Sequence, residues 1–276
     1  MLRAGAGFAL LIAGTLGAQA QPGPTYELFA VRFATLPSFS VRGLIAGADS
    51  TRRMDIAMSV WLIRGNNRTV LVDAGFYRDK FVQRWKPVNF ITPAEAVRLA
   101  GVQPGDVTDI ILSHVHWDHA DGTDMFPNAR VWIQRDEFQH HIGPGGETRD
   151  GAIDPDIARM LASLSTRGRL QQVNGDSTEI IPGIRVFTGG KHTFGSQYVT
   201  VRTKNGTAVV ASDNLYLYEN LDNRRPIAQT LDSLSNLRAQ DRMKRLASSP
   251  RLIVPGHDPA VFTRFERLAN GVVRIE

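Results

Sequence analysis

Three histidines and an aspartate fall within six residues in Ser113-His114-Val115-His116-Trp117-Asp118-His119. Imidazole nitrogens and carboxylate oxygens are ligands for Zn²⁺ and comparable divalent ions at about 2.0–2.2 Å. Crowding so many of them together is costly unless something uses them. The run follows a short apolar segment, residues 109–113, that reads as a buried strand. Where such a strand ends, the chain turns and alternate side chains can converge. His114 and His116 then point to one side, and Asp118 and His119 reach a second point nearby. Three more segments end in the same way. His192 lies in Gly189-Gly190-Lys191-His192-Thr193, Asp213 in Ser212-Asp213-Asn214, and His257 in Pro255-Gly256-His257-Asp258, each directly after a predicted strand. A lone histidine at a strand end is most often structural. This many donors in one register of strand ends point to metal.

The run HVHWDH, with His192, Asp213 and His257 downstream, resembles the metallo-β-lactamase superfamily. Leu71-Val72-Asp73-Ala74-Gly75 matches that superfamily's turn before its first helix, and the likeness extends over residues 54–259. The resemblance implies an α/β fold, a four-layer αββα sandwich with a metal site at one edge of its sheets. It further implies two divalent metal ions, expected to be Zn²⁺. His114, His116 and His192 would hold one, Asp118, His119 and His257 the other, and Asp213 would bridge both. Seven ligands also exceed what one four-coordinate ion can use. Asp73 is expected to support the site through hydrogen bonds rather than to ligate.

Within the superfamily, zinc β-lactamases carry a cysteine ligand or lack the bridging carboxylate, whereas this chain has no cysteine and keeps Asp213. Glyoxalase II has a sizeable extension after the last histidine, and here only 19 residues follow His257. The pattern is most similar to the N-acyl-homoserine-lactone lactonases, which place a tyrosine three residues after the bridging aspartate, as in Asp213-Asn214-Leu215-Tyr216. That resemblance implies quorum quenching by opening a lactone ring. Tyr216 would donate to the developing oxyanion, and Asp118 would carry the proton to the leaving group. Lys191 departs from the family pattern: Gly190-Lys191-His192-Thr193-Phe194-Gly195 replaces Pro-Gly-His-x-x-Gly. A small-molecule lactone or ester is the expected substrate. Other esters, phosphotriesters and β-lactams are alternatives, as is a metal- or ligand-binding protein without turnover. The last of these calls for a lost ligand, and none is lost.

Several elements must position these groups. Residues 26–33, 59–64, 69–73, 130–134, 184–188, 197–203, 208–212 and 251–254 read as strands. Gly65-Asn66-Asn67 and Asn205-Gly206 read as turns between neighbours. Thr92-Pro93-Ala94-Glu95 is a capping box that opens a helix closed by Gly101. Residues 136–141, 155–165 and 230–247 read as helices. The last takes Leu231, Leu234, Leu237 and Leu246 as its apolar positions and turns Arg238, Arg242, Lys244 and Arg245 to solvent. Strands and helices mix throughout, which predicts one α/β domain over residues 21–276. Trp117 is expected in the pocket or in the core. His140 and His141 are expected as a solvated pair, and Gly143-Pro144-Gly145-Gly146 as an ordinary turn.

Composition narrows the function further. Zero cysteines exclude a disulfide framework, a thiolate nucleophile and cysteine-bound metal. The net charge of +5 is carried by scattered arginines without interleaved aromatics, so nucleic acid is not an expected partner. Residues 1–20 read as a signal peptide: Arg3 near the start, an uncharged stretch over 4–18, and Ala18-Gln19-Ala20 as the cleavage site. The stretch is short for a membrane span of about 20 residues. The mature chain is therefore expected in the periplasm or outside the cell, without membrane insertion.

Overall fold

In the computed structural model, which describes Met1 and residues 23–276, the first strand already reveals the layering. Along β1 (Glu27–Ser40), Leu28 and Ala30 join one hydrophobic core while Phe29, Val31 and Phe33 join another. A strand alternates its side chains between two faces, so β1 lies in a sheet buried on both sides. The signal peptide expected over residues 1–20 falls, beyond Met1, outside the described residues.

Five more strands continue that sheet: β2 (Arg53–Gly65), β3 (Arg68–Val72), β4 (Asp109–Ile111), β5 (Arg130–Gln134) and β6 (Leu170–Val173). A second sheet comprises β7 (Thr178–Ile181), β8 (Ile184–Thr188), β9 (Gln197–Thr203), β10 (Gly206–Ser212) and β11 (Ile253–Pro255). The chain then returns to the first sheet with β12 (Glu266–Ala269) and β13 (Val272–Arg274). The orders are β12-β13-β1-β2-β3-β4-β5-β6 and β11-β10-β9-β8-β7. β3 to β6 run parallel, as do β10 and β11.

The core between the sheets takes Trp61, Val70, Val72 and Ile111 from the first and Val186, Val199, Val201 and Val210 from the second. On the outer face of the first sheet lie α1 (Asp79–Trp85), α2 (Pro93–Leu99) and, after the short α3 (Trp117–Ala120) and α4 (Arg135–His141), α5 (Pro155–Thr166). Past α6 (Tyr218–Asp222), α7 (Ser233–Leu246) covers the second sheet through Ala239 and Met243; α8 (Val261–Arg264) precedes β12. The result is the αββα sandwich that the resemblance implied. Each fully buried aliphatic side chain in these layers contributes about 1.5–3 kcal/mol.

Several local readings hold. Thr92 Oγ1 accepts from Glu95 N at 3.2 Å while Glu95 Oε2 accepts from Thr92 N at 2.8 Å, closing the capping box. Asn66 and Asn67 adopt φ of 49° and 55°, the left-handed turn that matches strand twist. Other readings need correction, and β2 begins at Arg53 rather than at residue 59. β1 runs on to Ser40, because irregularities at Arg32/Ala34 and Leu36/Phe39 carry it past Pro37 while it stays paired to β2. The helix read over 230–247 begins at Ser233 and buries Asn236, Ala239, Gln240 and Met243, whereas Leu231 and Leu234 are exposed. Its inner face is polar because it holds loops. Asn236 Nδ2 donates to Asn214 O at 2.9 Å and Gly190 O at 3.3 Å, and Gln240 Nε2 to Arg225 O at 3.0 Å.

Candidate metal centre

Parallel pairing brings the donors to one edge. β3 and β4 end side by side, with Val72 opposite Ile111, so Asp73 abuts Ser113 at the start of the histidine run. Ser212 sits opposite Pro255, which places the Asp213 loop beside the His257 loop. His192 leaves the second sheet after β8, which runs in the same direction as β10.

Two groups of ligand atoms result, each lying within 4.8 Å: His114, His116, His192 and Asp213; and Asp118, His119, His257 and Asp213. The two carboxylate oxygens of Asp213 divide between them. Asp213 Oδ2 lies 3.3 Å from His192 Nε2 and 3.8 Å from His114 Nε2, and His192 Nε2 lies 2.9 Å from His116 Nδ1. Asp213 Oδ1 lies 2.9 Å from His257 Nε2 and 3.2 Å from His119 Nε2. Asp118 Oδ2 completes the second group at 3.4 Å from His119 Nε2 and 3.7 Å from His257 Nε2.

The rear nitrogens are tied elsewhere. His119 Nδ1 meets Asp73 Oδ2 at 2.8 Å, His257 Nδ1 donates to Ala57 O at 3.0 Å, and His192 Nδ1 donates to Gln229 O at 2.8 Å. His114 Nδ1 lies 2.9 Å from Ser113 Oγ. Such contacts fix the tautomer and aim the other nitrogen inward. Asp73, buried and at φ 62°, also accepts from Ser113 N at 2.7 Å and from Ser212 Oγ at 2.8 Å. It serves as the hydrogen-bonding hub that its position suggested.

Does the site fit metal? His114 Nε2, His119 Nε2 and Asp213 Oδ1 are buried without a hydrogen-bond partner. Buried polar atoms left unpaired are rare and costly. Three of them converging in one cluster are what ligands look like without their ion, so the donor sets fit a dinuclear site. Burial, with the neighbouring His119, His192 and His116, pushes His114 well below its ordinary range, and burial beside His192 brings His116 down to about 4. Burial would also depress His119 and His257, but Asp213 and Asp118 overcome it and raise both. Burial opposes ionisation of Asp213, yet His119 and His257 hold its carboxyl well below the usual range.

A cleft of about 310 Å³ opens onto the cluster, lined by His116, Asp118, His192, Asp213 and His257 and also by Leu36, Phe39, Leu44, Ile56, Phe81 and Trp85. Tyr216 lines it too, with its hydroxyl 3.2 Å from His192 Nδ1. Burial, Asp213 and Asp118 push the Tyr216 phenol well above its ordinary range, so it remains a neutral donor. Because His192 Nδ1 already spends its proton on a carbonyl, the phenol proton is free. Trp117 serves pocket and core at once: it lines the cleft and stacks on Trp85 at 5.1 Å and 5° between planes.

The remaining singled-out residues lie outside this cluster. Lys191 folds back, its Nζ donating to Phe194 O at 2.6 Å. Gly143 to Gly146 form a tight turn, with Gly146 N donating to Gly143 O at 3.0 Å. The solvated histidine pair is a correction, since adjacent helical residues face differently. His140 stacks on Phe194 at 4.0 Å, whereas His141 is buried with Nδ1 2.8 Å from Asp150 Oδ2. The sequence reading missed the aromatic wall of α1 and the buried Glu137. Nothing local marks either one, whereas Ser113 and Ser212 could have been found as neighbours of ligands.

Residues 56–257 match the metallo-beta-lactamase superfamily model, and the chain belongs to that superfamily. Among curated relatives, the chain is 30% identical over 167 residues to an N-acyl homoserine lactonase of a Bacillus species, a span of 59% of this chain and 60% of that one. It therefore spans less than two thirds of that relative's length. To the N-acyl homoserine lactonase AiiB of Agrobacterium fabrum it is 27% identical over 242 residues, 80% of this chain and 87% of the relative. Its fold is similar to that of AidC, a dizinc quorum-quenching lactonase solved with a product, at a TM-score of 0.64 and 15% identity over 85% of this chain and 88% of that one.

Proposed function

We propose that this chain is a dinuclear metal-dependent hydrolase that opens the ring of N-acyl-homoserine lactones. One observation carries the reading: a single cleft joins the convergent donors and a neutral phenol to a wall of aromatic and aliphatic side chains. An acyl lactone has the matching parts, an ester carbonyl and an apolar tail. The lactonases among the relatives support the same substrate class.

His114, His116 and His192 are the proposed holders of one ion, Asp118, His119 and His257 of the other, with Asp213 shared. When bound, the ions supply Lewis acidity and lower the pKa of water toward about 7. Zinc is the proposed species, supported by the donor set and by the dizinc neighbour. The hydroxyl of Tyr216 donates to the carbonyl oxygen as attack turns it into an oxyanion. Asp118 takes the proton of the attacking water and delivers it to the ring oxygen when the carbon–oxygen bond breaks. The product is an open-chain N-acyl-homoserine carboxylate. We also propose that the chain is exported, with a mature amino terminus at Gln21, which intact-mass analysis of the exported protein would check.

A substrate panel tests the activity: an acyl-homoserine lactone, an aryl ester, a phosphotriester and a β-lactam. The lactone should lead in kcat/KM. Tyr216→Phe should lower kcat for it by about 5–30-fold, or about 1–2 kcal/mol, with little change in KM. An aryl ester or phosphotriester turned over far faster than any lactone would overturn the substrate assignment. Unchanged lactone turnover in Tyr216→Phe would remove Tyr216 from the chemistry.

A further inference from the structure

Glu137 takes no part in the reaction above, yet it is a fully buried carboxylate, and such a group must be paired or it would not remain ionised inside a protein. Its partners belong to the two loops that carry the imidazole half of the cluster. Oε1 accepts from Val115 N at 3.1 Å and from Thr193 Oγ1 at 2.7 Å; Oε2 accepts from Gly195 N at 2.7 Å. Val115 stands between His114 and His116, and Thr193 follows His192. A titratable neighbour comes from the same helix: His141 Nε2 lies 3.6 Å from Glu137 Oε2, and, against burial, Glu137 and Asp150 push His141 up. His141 Nδ1 meets Asp150 Oδ2 at 2.8 Å, and Asp150 Oδ1 accepts from Ala152 N at 2.9 Å. Gly151 and Ala152 line the cleft.

We propose that Glu137 is a positioning residue, a buried clamp that sets His192 against His114 and His116, with His141 and Asp150 extending the clamp to the lip of the cleft. This rests on the reading that those three histidines hold an ion. The chain is built for the contact at a second, independent point. A Cβ on Gly195 would lie 2.4 Å from Glu137 N, so only glycine lets the His192 loop come close enough. Glutamine at 137 would keep the shape but turn an amide N–H₂ toward a group that itself donates, so one strand of the clamp must open. Both halves share Asp213, but Asp118 adds a carboxylate to the acidic half alone, whereas the imidazole half depends more on nitrogen lone pairs whose aim is set by these loops. Loss of the clamp should therefore be felt there first.

The experiment is chelator competition on the full-length protein, reading ion content as the chelator rises. His116→Ala and His257→Ala identify which step of the curve belongs to which half. Glu137→Gln should weaken the His116 step by about 10–100-fold and leave the His257 step in place. Thr193→Val should weaken the same step by less, and Thr193→Ser, which restores the hydroxyl, should return it to the wild-type position. If Glu137→Gln does not fold, the Thr193 pair decides alone. The clamp is overturned if Glu137→Gln gives the wild-type curve, if both steps shift together, or if Thr193→Ser is as weak as Thr193→Val. A wild type that takes up no ion overturns the metal reading and the clamp with it. Two wild-type steps unmoved by Glu137→Gln remove the clamp alone.

Discussion

The two halves of the cluster share a carboxylate but not an electrostatic character. His114 and His192 face one carboxylate oxygen, Asp213 Oδ2, and His116 lies within 4.8 Å of the same group. His119 and His257 face Asp213 Oδ1 and Asp118 Oδ2, and Asp73 stands behind His119. Of the five imidazoles all but His116 are deeply buried, and burial by itself pushes His114, His116, His119 and His257 down. In the first half burial prevails, reinforced by neighbouring rings, and His114 and His116 fall. In the second half the carboxylates prevail, and His119 and His257 rise. How strongly the nearby carboxylates act, rather than depth, thus decides in which direction each of these four histidines is pushed. An ion in the acidic half would be held chiefly by charge, and one in the imidazole half by well-aimed lone pairs.

The most severe way to break this comparison is to remove what the halves share. Asp213→Ala takes an oxygen from both, so the variant should lose both ions. Its kcat/KM should fall by about 10³-fold or more, roughly 4 kcal/mol of transition-state stabilisation. Elemental analysis beside lactone turnover checks it, and a variant that keeps one ion would mean that Asp213 belongs to one half alone.

A milder test sharpens the contrast. During stepwise chelation of the wild type, the imidazole half should empty first, with an affinity gap of at least about tenfold, since it has one fewer carboxylate within reach. Asp118→Asn removes that extra charge and should narrow the gap. Simultaneous loss of both ions in the wild type would dissolve the distinction.

The rule can also be tested at a histidine outside the two halves. Burial would lower His141, but Glu137 and Asp150 raise it above its ordinary 6.5. Its folded pKa exceeds its unfolded one, so its contribution to stability is complete below about pH 6.5 and is lost as pH climbs through the raised value. Glu137 and Asp150 are held low, so their share persists upward and is lost only as pH falls through the acidic range. Metal-free wild type should exceed His141→Gln in denaturation free energy more at about pH 5.5 than at about pH 9. A gap that grows with pH would reverse the assignment.

What could be read along the chain was what is written locally. HVHWDH closes on itself because a strand end and a four-residue helix bring its side chains together, and the capping box at Thr92 involves residues three apart. The other donors were legible for a related reason: each directly follows a strand, and parallel strands end at a common edge. The inner face of α7 misled because burial is usually apolar, whereas there Asn236 and Gln240 go inside to satisfy loop carbonyls. His141, Glu137 and the wall of Phe39, Phe81 and Trp85 carry no mark in their own neighbourhoods. Glu137 finds Gly195 58 residues away, and Ser212 finds Asp73 139 residues away. The sequence by itself determined the candidate donors, the superfamily and most of the strands, since strand periodicity and motif spacing are short-range properties. Only the tertiary structure decided how Asp213 divides its oxygens, which histidines keep a proton and what walls the cleft, because electrostatic fields and packing sum over neighbours that the chain brings together only by folding.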